Sequence, residues 1–576
     1  MGNLDTKANS TKSQKLKENN LHNNPVSKYN SNSNDLYNDS ELKLSKNNSV
    51  STSNNKVISD LPILSELPNN IDAGKKLSYD VKENPLEKIL KNKKEDLEIR
   101  ERSNSLIESN EFNPENISKI NLKGSLNKDI RLYYKFKDSV GGGNFGTVRI
   151  AYRRNEEPRK YFAIKSIKKA ELSLDNIKNL TKEVKILSDL DHPNIIKFYE
   201  TYNDDQYFHI VMELCKGKAL FERLLKEGTL PELKVANIIY KLLRAISYCH
   251  SQGITHRDLK PDNILFLSKE NDSEIKLIDF GLSRYYNGQE KMHTVLGSTF
   301  FVAPEVLKAE YDMKCDIWSI GAITYNMISG TPPFTGNTNH IIFEKIIHEE
   351  LVFLPEIWKN VSKEAIDFIN KCMIKNPEMR FGALEAIEHP WFDNINNKIH
   401  TFSTEEKNIL EKLKIYQEPS TFKKMVYQFL LPLISSNENK KLEAAFNAID
   451  INNEGFICIN DLEKAFAKAD IQISKPELEN IIKNVGSEEK FDYSDFLVAA
   501  INQNEFQHKE KLVSAFKYFD VDNSGFICCR DIKNVLLRSG REEIKNKEIE
   551  NILSEVLCNG TKKEISFEEF MKIFSS

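Results

Sequence analysis

The segment VGGGNFGTV places Gly141, Gly143, Gly146 and Val148 in the spacing G-x-G-x-x-G-x-V. Glycines there let the backbone close over phosphate oxygens, which the chain's N–H groups then meet. By itself the pattern fits a glycine-rich turn equally well. Lys165 in FAIK follows on a predicted strand, and Glu183 in LTKEVKIL on the next predicted helix. A lysine in that place pairs with the α- and β-phosphates, and a carboxylate on the facing helix holds it. Farther along, HRDLKPDN supplies Asp258, Lys260 and Asn263, and DFG supplies Asp279, Phe280 and Gly281. Asp258 is the candidate base for a hydroxyl proton, Lys260 the cation beside the moving phosphoryl group, and Asn263 and Asp279 the candidate magnesium ligands. Together they spell transfer of the ATP γ-phosphoryl group to an alcohol.

A second chemistry lies near the C-terminal end. DINNEGFICIND, from Asp450, and DVDNSGFICCRD, from Asp520, fit the twelve-residue EF-hand loop. Oxygen ligands fall at Asp450, Asn452, Glu454, the Phe456 carbonyl and Asp461, and again at Asp520, Asp522, Ser524, the Phe526 carbonyl and Asp531. Gly455 and Gly525 occupy the sixth position, where the loop turns sharply. Both loops end in Asp where Glu gives the better bidentate ligand, so weaker calcium affinity and less discrimination against magnesium are expected. Two further loops, from Asn484 and from Cys558, lack the glycine and are degenerate. Their expected task is to pair a short strand with each competent loop.

Elements must position these groups. YYKFKDSV, TVRIAYR, KYFAIKSI, KFYETY and YFHIVMEL read as short β-branched and aromatic strands of a small lobe. PELKVANIIYKLLRAISYCHSQG and CDIWSIGAITYNMISG read as helices of a large lobe. Before them, the Asn-, Ser- and Lys-rich segment cannot bury enough apolar surface to offset chain entropy and is expected to be disordered. Lysines and arginines number 81 against 85 acidic residues, a net charge of −4 that argues against a chain built to coat nucleic acid. Eight cysteines lie scattered without a CxxC pair, which fits a reducing compartment and neither a disulfide framework nor a zinc site. No segment approaches the roughly 20 apolar residues of a membrane-spanning helix.

The ordered set of glycine loop, Lys165, Glu183, HRD, DFG and the APE motif of Ala303, Pro304 and Glu305 resembles a eukaryotic-type Ser/Thr protein kinase over residues 131–392. With the EF-hand repeat behind it, the chain resembles the calcium-dependent protein kinases of plants and apicomplexan parasites. The fold implied is α+β, a bilobal kinase followed by an all-α, calmodulin-like EF-hand domain. Its expected divisions are a disordered extension at 1–130, the kinase at 131–392, an autoinhibitory junction at 393–440 and the EF-hand domain at 441–576. The resemblance implies ATP, Mg2+ and Ca2+ as cofactors and protein Ser/Thr hydroxyls as substrates. It assigns the nucleotide pocket to Val140, Gly141, Gly142, Gly143, Asn144, Phe145, Gly146, Thr147, Val148, Ala163 and Lys165, with Met212 behind the adenine and the backbone of Glu213 and Cys215 at its edge. It further implies a Glu305–Arg380 pair anchoring the activation segment and an Asp316 that braces the catalytic loop.

In such kinases the junction blocks the enzyme until calcium loads the EF-hands. ILEKLKIYQEPSTFKKMVYQFLLPLI has the apolar-basic texture that EF-hand lobes grip. Thr294 stands where many kinases carry a regulatory phosphothreonine, directed toward Arg257. GKALFER puts Ala219 where relatives carry a glutamate that meets basic substrates, leaving Asp262 and Glu222 as nearby acids. MGNLDT matches an N-myristoylation motif with Gly2 as acceptor, which predicts reversible membrane association of an otherwise cytoplasmic, monomeric protein. Two rival readings use the same residues: a calcium-sensing scaffold on a dead kinase fold, which the intact Lys165, Asp258 and Asp279 oppose, and a constitutive kinase with structural EF-hands.

Overall fold

The computed structural model describes residues 125 to 575, except 127, 144–145, 155, 157–158, 272, 287–291, 293–298, 394, 396–401, 487–488, 502–505, 507, 540–544 and 558–563. All of them belong to one compact unit, Val81–Ser576. Gly2, Asn144, Phe145 and Thr294, each assigned a role by sequence, lie outside the described residues.

The small lobe is a five-stranded antiparallel sheet of β1 (Tyr134–Gly143), β2 (Gly146–Arg153), β3 (Tyr161–Lys168), β4 (Phe198–Asn203) and β5 (Tyr207–Glu213), in the order β1-β2-β3-β5-β4. The β-branched and aromatic residues that predicted these strands are the ones the sheet buries: Phe162, Ile164, Phe208, Ile210 and Val211 are fully enclosed. Burial of each large apolar side chain favours the fold by roughly 1.5–3 kcal/mol. Helix α1 (Leu174–Asp189) starts at Ser173, whose hydroxyl accepts the Asn176 N–H at 3.2 Å, and ends at the apolar Leu190. It carries Glu183 toward β3.

The large lobe is built on α2 (Glu232–Ser251) and α3 (Cys315–Ser329). Every residue of α3 is buried, which explains why its sequence is apolar all round and not striped. The helix stops at Gly330, whose φ of 81° is the left-handed conformation that favours glycine at a helix end. Between these helices, β6 (Ile264–Phe266) and β7 (Ile275–Leu277) form a two-stranded ladder. It lies within the segment that runs from HRD to DFG and holds the two motifs close together.

Beyond the kinase come α4 (Thr404–Ile415) and α5 (Thr421–Leu430), the two helices of the predicted junction. The EF-hand region follows as α6 (Ser436–Ile449), β8 (Ile457–Cys458), α7 (Ile459–Ala469), α8 (Lys475–Val485), β9 (Lys490–Phe491), α9 (Tyr493–Ala500), α10 (Lys509–Phe519), β10 (Phe526–Cys528), α11 (Cys529–Arg538), α12 (Asn546–Ser554), β11 (Glu564–Ser566) and α13 (Phe567–Ser575). β8 pairs with β9 and β10 with β11, so each degenerate hand does lend its strand to a loop with the full pattern.

The cores divide in an informative way. Ile409, Leu410 and Leu413 of α4, and Phe422, Val426 and Leu430 of α5, belong to the core of the EF-hand helices and not to that of the kinase. Both junction helices are thus held inside the sensor.

Candidate functional site

Lys165 Nζ and Glu183 Oε1 meet at 2.7 Å, so the lysine of β3 and the carboxylate of α1 form the predicted pair. Burial pulls the Lys165 ammonium down, and Glu183 more than offsets it, leaving the pKa above its usual value. The lysine is therefore a fixed cation. On the loop above, Gly146 has a φ of 148° and sits so close to the Ser166 carbonyl that a β-carbon has no room there. The ideal β-carbon position of Gly141 meets nothing within 4 Å, so space is open beside it.

The catalytic loop is locked from beneath. Asp316 Oδ2 accepts the His256 N–H and its Oδ1 the Arg257 N–H, each at 2.9 Å, while His250 Nε2 lies 2.9 Å from Oδ2. Burial raises the Asp316 pKa, but these partners outweigh it and keep the carboxyl below its ordinary range. This clamp holds Arg257 at a φ of 69°, a conformation that costs a non-glycine residue energy and persists only under such bracing. Asp279 also takes a left-handed φ, of 65°. The expected bracing role of Asp316 is what the geometry displays.

Asp258 is nearly buried, and its Oδ2 lies 2.6 Å from Lys260 Nζ and 3.2 Å from Asn263 Nδ2. The Asn263 amide also donates to the Asp258 carbonyl at 2.8 Å, which turns its own oxygen outward as an acceptor. Gly281 N–H donates to Asp279 Oδ1 at 3.2 Å. Phe280 is buried edge-on to His256 with ring centroids 4.9 Å apart, which seats the DFG segment beneath the cleft. Asn263 and Asp279 thus offer one amide oxygen and one carboxylate, the hard oxygen set that Mg2+ takes. Glu305 and Arg380 form a buried double ion pair, with Nη2 to Oε2 at 2.9 Å, as the motif implied.

At the adenine edge, Met212 packs against the kinase core. Among the described residues the Cys215 N–H meets no backbone carbonyl. Burial pushes the Cys215 thiol up to about 12, so it is an apolar wall and not a nucleophile. Arg257, expected to face Thr294, spends its guanidinium on the Leu282 carbonyl at 2.6 Å and the Tyr311 hydroxyl at 3.2 Å. Glu222, one of the two acids left for a basic substrate, is paired with Lys218 at 2.5 Å on the surface.

The calcium loops have the turn their glycines require. Asn453 and Gly455 take φ values of 56° and 80°, and Asn523 and Gly525 values of 56° and 83°. Asp450 Oδ2 accepts the Gly455 N–H at 3.0 Å, and Asp520 Oδ2 the Gly525 N–H at 2.9 Å. Asp461 and Asp531 also cap the helices that leave the loops, each accepting a cysteine N–H at 3.0 Å through Oδ2. Among the described residues Asp531 Oδ1 is buried with no hydrogen-bond partner. These residues fit Ca2+.

The structure makes prominent a surface that no sequence motif marks out, where the EF-hand region meets the kinase. Ser494 N–H and Oγ donate to the two oxygens of Asp191 at 2.8 and 3.0 Å, and Lys197 reaches Ser494 Oγ at 2.9 Å. Arg244 of α2 pairs with Asp450, and Arg538 stacks over Tyr133, Tyr202 and Tyr518. Arg244 is the single arginine of α2 and lies on the helix's buried side, between Leu243 and Ala245; its type alone did not name a partner.

The family model described as a protein kinase domain matches residues 134–392, and one described as an EF-hand domain pair matches residues 509–575. Calcium-dependent protein kinase 5 of Plasmodium falciparum is 33% identical over 440 residues, covering 76% of this chain and 76% of that protein. Calcium-dependent protein kinase 34 of Arabidopsis thaliana is 31% identical over 448 residues, 77% of this chain and 84% of its own. Calcium-dependent protein kinase 7 of Oryza sativa subsp. japonica is 32% identical over 456 residues, 78% and 83% respectively. The chain carries the lysine–glutamate pair, the braced catalytic loop and two turned calcium loops of one architecture, and it belongs to the calcium-dependent protein kinases: a protein Ser/Thr kinase that uses ATP and Mg2+ and is regulated by Ca2+.

Proposed function

We propose that calcium controls this kinase through the grip of its EF-hand helices on α4 and α5. The observation that carries the reading is the shared core just described, in which apolar residues of both junction helices pack among the EF-hand helices. The lysines between them hold on as well. Lys412 donates to the Ala500 carbonyl at 3.3 Å and Lys424 to the Val485 carbonyl at 3.2 Å, each the last residue of an EF-hand helix. Cations belong at such helix ends. A junction held this way cannot also lie over the substrate cleft, and release of the grip returns it there. Truncation after about residue 400 tests this: the shortened kinase should turn over at a rate that ignores chelator. Equal chelator responses of the truncated and full chains would dispose of the switch.

Within the kinase, Asp258 positions and deprotonates the substrate hydroxyl, and Lys260 keeps its cation beside the group in transit. Lys165, fixed by Glu183, holds the nucleotide's phosphates, and the glycine loop from Val140 to Val148 covers them. Bound ATP supplies the phosphoryl group, and Mg2+ on Asn263 and Asp279 offsets its charge. Met212, Ala163 and the Glu213–Cys215 backbone enclose the adenine. Asp450, Asn452, Glu454, Phe456 and Asp461 form one calcium site, and Asp520, Asp522, Ser524, Phe526 and Asp531 the other. Thr294 is the regulatory phosphosite, read out by loss of response in Thr294→Ala. The divisions follow the sequence reading: an extension at 1–130, kinase at 131–392, junction at 393–440 and sensor at 441–576.

Among the described residues no helix is long and apolar enough to cross a membrane. Membrane association is accordingly assigned to a myristoyl group on Gly2 of a monomeric, cytoplasmic enzyme. A single acyl chain binds reversibly. Gly2→Ala should move the protein wholly to the supernatant in a vesicle sedimentation assay.

A further inference from the structure

The two calcium loops have the same internal geometry but opposite surroundings. Asp520 Oδ1 and Oδ2 accept the Ser524 and Gly525 N–H groups at 2.9 Å each, and an added β-carbon on Gly525 meets nothing within 4 Å. Asp450 Oδ1 and Oδ2 accept the Glu454 and Gly455 N–H groups at 3.1 and 3.0 Å. Here, however, a β-carbon on Gly455 would come within 2.7 Å of Tyr248 and 2.8 Å of His192 of the kinase. Phe456 packs against the kinase core, and the Tyr240 hydroxyl donates to Asn453 Oδ1 at 3.2 Å. Into this contact α2 inserts Arg244, whose Nη2 lies 2.6 Å from Asp450 Oδ2, with side-chain exposures of 2% and 0%. Among the described residues Arg244 Nε has no hydrogen-bond partner, and the Asp450 carboxylate is the counterion that makes the arginine's burial tolerable.

We propose that the loop from Asp450 to Asp461 serves as the kinase's binding site for its own Arg244, and that calcium in this loop and docking on Arg244 oppose one another. The inference rests on the reading of that loop as a calcium site. The reason is electrostatic. Asp450 is the first ligand position, and a calcium ion on its other oxygen would stand a few ångströms from a guanidinium in a contact closed to bulk solvent. Like charges that close in a dry contact repel strongly. Coupling of this kind is reciprocal: docking lowers the loop's calcium affinity by the factor by which calcium weakens docking. The loop from Asp520, which carries no kinase cation, is the one that fills first.

The test measures calcium binding by equilibrium dialysis on three full-length proteins that share Asp520→Ala, which silences the open loop. One has Arg244 intact, one carries Arg244→Gln and one Arg244→Lys. Loss of the charge should raise the remaining site's affinity about tenfold or more, the usual scale of such coupling, and lysine should not. Equal, finite affinities in all three would overturn the competition and leave the calcium site standing. No binding in any of them would overturn both. Should Arg244→Gln not fold, hydrogen exchange of residues 232–251 in the unmutated chain decides. Helix α2 should gain exchange only as the second calcium binds; unchanged protection with both loops filled would sink the proposal.

Discussion

Tyr518, on the helix that leads into the loop from Asp520, donates its hydroxyl to Glu200 of the kinase sheet at 3.2 Å. Glu200 is fully buried and also accepts from Tyr202 at 3.1 Å, from Tyr134, and from Arg153 at 3.4 Å, with Arg538 at 3.9 Å. One carboxylate thus serves the partly buried Arg153 and the buried Arg538, one from each side of the kinase–sensor contact. Removing it should take from Arg538 its carboxylate partner in a dry place and leave Arg153 with Glu156. Glu200→Ala is expected to cost about 3–5 kcal/mol in calorimetric unfolding. Tyr518→Phe removes one neutral donor and should cost only about 1 kcal/mol.

Asp258→Asn keeps the shape of the catalytic loop and removes its proton acceptor. It should lower kcat by about 10²- to 10⁴-fold with little change in the KM for ATP. Nucleotide affinity in a fluorescence titration should stay near that of the parent, and a large drop in that affinity would contradict the assigned role.

Glu443 of α6 is buried in the same contact, and among the described residues its Oε1 has no hydrogen-bond partner. Burial and the nearby Glu274 carboxylate push its pKa up to about 8, against the pull of Lys276 and Lys241. A carboxyl raised on folding contributes stability that is complete below its unfolded value of 4.5 and is lost as pH climbs toward 8. Glu443→Gln should therefore match the parent near pH 4.5 and gain on it steadily to pH 8 in thermal melts. A difference that does not vary with pH would refute this.

Gly455→Ala and Gly525→Ala place the same strain on two left-handed residues, at φ values of 80° and 83°. Only the first drives a methyl group into Tyr248 and His192. The first substitution should cost about 1–3 kcal/mol more than the second in chemical denaturation. It should also loosen the kinase–sensor contact, seen as faster hydrogen exchange in α2.

Gly146→Ala meets both obstacles at once, a φ of 148° and the neighbouring Ser166 carbonyl. The β1–β2 hairpin must open to admit the methyl group. The KM for ATP is expected to rise about tenfold or more, since misplacement of a positioning element by an ångström costs that much and beyond.

Much of this molecule was written locally. The order of glycine loop, Lys165, Glu183, Asp258 and Asp279 fixed the chemistry because each role demands a particular residue type at a particular point of the chain. The strands announced themselves through β-branched and aromatic content, and the calcium loops through ligand spacing around Gly455 and Gly525. Even long pairs such as Glu305 with Arg380 were legible, because their motifs fix them. What sequence could not give is which surfaces meet. Arg244 and Asp450 lie 206 positions apart, and neither residue type names its partner. Nor does the amphipathic texture of α4 and α5 say whether their apolar faces belong to the kinase or the sensor, since either core would bury them equally well. Tertiary packing decided both questions, through the charge and shape that each buried face requires of the other.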